Sequence, residues 1–204
     1  MQPKTQAKRA AAKPAFDVVA VAASAGGLNA IRRILAALPR DFPASIVVVQ
    51  HLDPRHRSLM AEILGRHTPL RVKQAEEGEP MSAGTVYIAR PDRHLLVNDD
   101  TLALTQTQLV HFVRPSADLL FESVAASHRD RAIAVVLTGT GSDGAMGVQA
   151  IKKMGGTVIA QDKESSEFFG MPSAAIQAGS VDFTLPLNEI PSALVTLVMK
   201  GEVE

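Results

Sequence analysis

Three side chains with complementary chemistry each stand at the end of an apolar, β-branched run. They are Ser24 in Val-Ala-Ala-Ser24-Ala-Gly-Gly, His51 in Val-Val-Val-Gln-His51, and Asp143 in Leu-Thr-Gly-Thr-Gly-Ser-Asp143-Gly. In a parallel α/β sheet the carboxyl ends of the strands open on one edge, where residues distant in sequence meet and ligands bind. A hydroxyl nucleophile, an imidazole and an orienting carboxylate on one edge are the parts of a serine hydrolase. Each residue also has a plainer role. Ser24 suits a helix N-cap, and His51 alone suits a hydrogen-bonded structural position.

The elements that would hold them follow from the alternation of short buried runs and helical periodicity after Phe16, the form of repeated β-α units. Strands are expected at 17–22, 45–50, 132–137, 157–160 and 181–185, with an edge-like strand at 71–75. Helices are expected through Leu28–Leu38, Leu59–Leu64, 146–154, 172–178 and 188–199, and one opened by Pro115 at its first turn. Three short runs, at Val86–Ile88, Leu95–Val97 and Leu102–Leu104, predict a small hairpin or meander inserted between β-α units, because turn residues separate them. The predicted fold is α/β, a doubly wound, mainly parallel sheet with helices on both faces and a small β-hairpin insertion.

Composition limits the function. The 204 residues are 46% apolar and 21% charged, enough for one domain with a full core. Zero net charge gives no general attraction to nucleic acid or anionic membrane, and the absence of cysteine removes disulfides and thiolate chemistry. Histidine spacing matches no zinc motif, so no metal site is expected. No apolar run reaches the roughly 18 residues of a membrane span, and a cytoplasmic monomer is expected. Residues 1–16, basic and aperiodic, read as a disordered tail ahead of a domain at 17–200.

Gly139, Gly141 and Gly144 also fit G-x-G-x-x-G, with Asp162 placed as a ribose partner would be. A dinucleotide-binding module is therefore a competing reading, although it leaves Ser24 and His51 unused.

Six short motifs occur in one order: Ser24-Ala25-Gly26-Gly27, Gln50-His51, Gly84–Ala89, Arg114-Pro115-Ser116-Ala117-Asp118, Thr138–Gly144 and Phe169-Gly170-Met171-Pro172. From about Asp17 to Val198 the chain resembles the CheB-type chemotaxis methylesterases. That resemblance implies hydrolysis of glutamate γ-methyl esters on chemoreceptors, releasing methanol, with glutamine deamidation in many members and no cofactor. It implies Ser24 as nucleophile, His51 as base and Asp143 as orienting carboxylate, with the backbone amides of Ala25 and Thr140 stabilising the oxyanion. Arg114 and Met171 are candidate substrate contacts, and Asp118 a structural support of the cleft. Three departures stand out: Ala22 replaces a usual glycine, Thr140 a common methionine and Arg90 a usual proline. An alanine at a position needing positive φ would strain the serine turn. Typical members also carry an N-terminal phosphoreceiver domain, which only a short tail replaces here, so an ungated catalytic domain is expected. A noncatalytic receptor-binding relative is the alternative.

Overall fold

The computed structural model describes residues 14–51 and 58–200. Seven strands form one wholly parallel sheet: β1 (Val18–Ala23), β2 (Ser45–Gln50), β3 (Arg71–Gln74), β4 (Thr85–Ile88), β7 (Ala132–Val136), β8 (Thr157–Gln161) and β9 (Phe183–Leu185). Their order is β3-β4-β2-β1-β7-β8-β9, and β5 (His94–Asn98) pairs with β6 (Thr101–Thr105) as a separate antiparallel hairpin. From β1 the chain winds first toward β3 and later toward β9. The topological switch point therefore lies between β1 and β7, where open α/β sheets bind ligands.

Both faces of the sheet are covered, which is why its strands read as continuous apolar runs. Val19, Val21, Ile46, Val48, Ile133 and Val135 meet one layer, made by α1 (Gly27–Ala37), α2 (Met60–Gly65) and α6 (Ile190–Lys200). The alternate residues Val18, Ala20, Val47, Val49, Ala134 and Val136 meet the other. That layer comprises α3 (Ala117–His128), α4 (Ala145–Lys153), α5 (Gly170–Gln177) and the hairpin.

The doubly wound sheet and its hairpin agree with the sequence expectation, and β3 is an edge strand as predicted. Three local expectations are corrected. The run at 86–88 belongs to the main sheet between β3 and β2, because Val86 and Ile88 face one core while Tyr87 faces the other. Helix α3 begins at Ala117 rather than at Pro115, with Ser116 as its N-cap, the hydroxyl accepting from the Leu119 amide. Ala22 lies within β1, paired with Val49 and Val136 and fully buried, and its φ is not positive, so alanine strains nothing there. The left-handed residue of the serine turn is Gly26, at φ 76°.

Most of the expected N-terminal tail, residues 1–13, lies outside the described residues. Its last part is held in place: the Ala15 amide donates to the Val198 carbonyl at 2.9 Å, and Phe16 is buried in the α1/α6 layer. No helix among the described residues is long and apolar enough to cross a membrane.

Candidate active site

Register brings the first two residues together. Ala23 pairs with Gln50, so Ser24 and His51 leave adjacent strands at the same level. The His51 amide donates to the Ala23 carbonyl at 3.1 Å, and the Ser24 amide to the Thr138 carbonyl at 3.1 Å. Gln50 ties the two turns together, its side-chain amide donating to the carbonyls of Ser24 at 2.7 Å and His51 at 3.1 Å. Thr138 anchors the other side, with its hydroxyl on the Ala25 carbonyl at 3.0 Å while accepting the Phe168 amide at 2.9 Å.

Asp143 arrives by a longer route, from the loop between β7 and α4. Its carboxylate is placed by α3: Oδ1 accepts the Ser116 hydroxyl at 2.8 Å and the Asp118 amide at 3.1 Å, and Oδ2 accepts the Ala117 amide at 2.6 Å. Oδ2 also lies 2.8 Å from His51 Nε2. Burial pushes the Asp143 carboxyl upward, but the His51 ring, the two amides and the Ser116 hydroxyl together hold it below its ordinary value. It is therefore an ionised acceptor, and Nε2 must carry the proton between them. In the neutral imidazole this leaves Nδ1 as the acceptor. Ser24 and His51 line one cleft of about 790 Å³ together with Leu28, Asn29, Arg32 and His67. No hydrogen bond joins Ser24 to His51 among the described residues, a contact that often tightens only with substrate bound.

The amides of Ala25 and Thr140 have no acceptor among the described residues. Gly139, next to Thr140 in the chain, packs against Ser24, and its missing side chain matters: a Cβ there would come 2.9 Å from Ser24 Cβ and would overlap the Met171 sulfur. Met171 is thus beside Ser24 but 1% exposed, beneath the turn rather than in the open cleft. Arg114 spends its guanidinium on Asp92 and on the Thr107 carbonyl at 2.7 Å, pinning the loop that precedes α3. Asp118 caps α4 through the Gly144 and Gly147 amides at 2.9 and 2.7 Å. Its carboxyl is raised, chiefly by burial. Asp162 turns onto the Ser165 amide and hydroxyl, a local loop role.

The profile of the CheB methylesterase family matches residues 19–194. The chain belongs to the CheB methylesterase family. Membership makes it a hydrolase of the methylesterase class. A relative from Leptospira interrogans is 40% identical over 183 residues, covering 89% of this chain and 95% of that protein. The Thermotoga maritima protein-glutamate methylesterase/protein-glutamine glutaminase is 40% identical over 192 residues, spanning 91% of this chain and 56% of the relative. The crystal structure of the Thermotoga maritima CheB methylesterase catalytic domain superimposes with a TM-score of 0.86 at 40% identity, covering 90% of this chain and 99% of that one. In this CheB-family chain, sequence reasoning missed Gln50, Ser116 and Thr138 as the residues that bind the site together. Ser116 was detectable as an N-cap signal, whereas the partners of Gln50 and Thr138 depend on strand register.

Proposed function

We propose that this chain is a cytoplasmic protein-glutamate methylesterase acting on chemoreceptors, with Ser24, His51 and Asp143 as its catalytic triad. The observation that carries this reading is the 2.8 Å His51 Nε2–Asp143 Oδ2 contact at the switch point, beside Ser24 at matched register. Asp143 fixes the imidazole as the tautomer whose Nδ1 accepts a proton. Ser24 Oγ attacks the ester carbonyl as His51 takes its proton, and Asp143 stabilises the imidazolium that forms. The free amides of Ala25 and Thr140 are suited to the oxyanion, each such donor contributing about 3–4 kcal/mol. His51 returns the proton to methanol as it leaves, and water then attacks the acyl-enzyme with His51 as base. The same steps on a glutamine side chain release ammonia, so deamidation is a second activity of this site.

Methanol release from membranes bearing methylated chemoreceptors tests the proposal. Ser24→Ala and Asp143→Asn should each lower the rate by on the order of 10³-fold or more, with folding preserved by circular dichroism. Full release by folded Ser24→Ala protein would exclude Ser24 as nucleophile.

A further inference from the structure

The N-terminal end of α1 faces the cleft with no acidic residue in its own first turn. That end carries a partial positive charge, and Arg32 lines the same cleft, so the site as built from these elements favours carboxylates. A methylesterase generates one at this place: ester plus water gives methanol, a carboxylate and a proton. Such a product would be retained where it forms.

One acidic side chain from far away in sequence reaches this helix end. Glu167, from the loop that bridges to Gly139 through Phe169, lies flat over Gly26 at the start of α1. A Cβ on Gly26 would meet Glu167 Oε2 at 2.7 Å and Glu167 Cβ at 3.1 Å, so the absent side chain makes room for this carboxylate. Thr138 holds the loop there, with the Phe168 amide on its hydroxyl. Glu167 forms no hydrogen bond or ion pair among the described residues, and its charge is left to act through space.

We infer that Glu167 is a specificity-determining residue that biases the Ser24 cleft against carboxylates, favouring neutral ester or amide substrates and release of the anionic product. This rests on the methylesterase reading above. The tetrahedral oxyanion is less affected, since direct amide donors hold it at hydrogen-bonding range.

The test is inhibition of Ser24-dependent 4-nitrophenyl acetate hydrolysis by butyrate and by its neutral counterpart butyramide. In Glu167→Gln protein butyrate should bind about tenfold more tightly while butyramide changes by less than about threefold, and Glu167→Lys should extend the shift. Raising the salt concentration should narrow the difference between the unaltered chain and the variants, as screening requires. An unchanged butyrate-to-butyramide ratio in both variants would overturn the inference and leave the esterase reading intact. Hydrolysis that persists in Ser24→Ala protein would instead overturn the esterase reading, and this inference with it.

Discussion

Asp143 is the residue on which the site's electrostatics turn. It is 4% exposed, yet four donors keep it ionised: the Ser116 hydroxyl, the Ala117 and Asp118 amides and the His51 ring. Because its folded value lies below its unfolded one, it stabilises the protein at pH values above the ordinary carboxylate range, about 4, and that contribution is lost as pH falls through the folded value. Asp118 has the opposite sign. Its raised carboxyl costs stability once it ionises, so acid relieves Asp118 while it undermines Asp143. Asp143→Asn should flatten the acid limb of the stability curve, seen as a smaller loss of melting temperature between pH 6 and pH 3 than in the unaltered chain. The strand-end positions of Ser24 and His51 were legible in the sequence. Which imidazole nitrogen faces the carboxylate was not, because that depends on where α3 holds Asp143.

At the scale of elements, the site depends on how closely α3 and α4 pack. Gly147 sets that approach: a Cβ there would come 2.6 Å from Phe121 Cβ and 3.0 Å from the Asp118 backbone. The same Gly147 amide donates to the Asp118 carboxylate, and the Asp118 amide donates to Asp143. Gly147→Ala should therefore do two things. It should cost about 1–3 kcal/mol of stability, read by denaturant unfolding, because neither helix can yield without strain. It should also lower ester hydrolysis by at least about tenfold with little change in KM, since Asp143 shifts relative to His51. This coupling has little sequence signature: a glycine inside a helical stretch marks a close approach without naming its partner. The assignment of Val86–Ile88 to the hairpin region failed for a related reason. Three residues between turn signals look alike whether they join a hairpin or a central parallel strand, and only the cores on both sides distinguish them.

The whole molecule is two apolar layers sharing one sheet. Val19 and Val21 serve one layer while Val18 and Ala20 serve the other, so neither core can open without disturbing β1. Unfolding should accordingly be a single transition. Phe121→Ala in one layer and Leu194→Ala in the other, each fully or almost fully buried, should each lower the same midpoint by about 2–5 kcal/mol of stability. Urea curves followed by far-ultraviolet circular dichroism and by the fluorescence of Tyr87, the one tyrosine of the chain, check this. Coincident curves are expected, and two separated transitions would show that the layers unfold independently.

By itself the sequence determined the alternation of strands and helices, the parallel sheet and the placing of Ser24 and His51 beyond strand ends. These follow from local periodicity, β-branched runs and turn residues, whose effects act over a few neighbours. Tertiary structure decided the rest: the order β4-β2-β1-β7 that creates the switch point, the donors around Asp143, the clamps made by Gln50 and Thr138, and the carboxylate of Glu167 over Gly26. Each of these joins residues 25 to 141 positions apart. Such contacts are fixed by register and by packing around a shared core, and no local pattern along the chain encodes them.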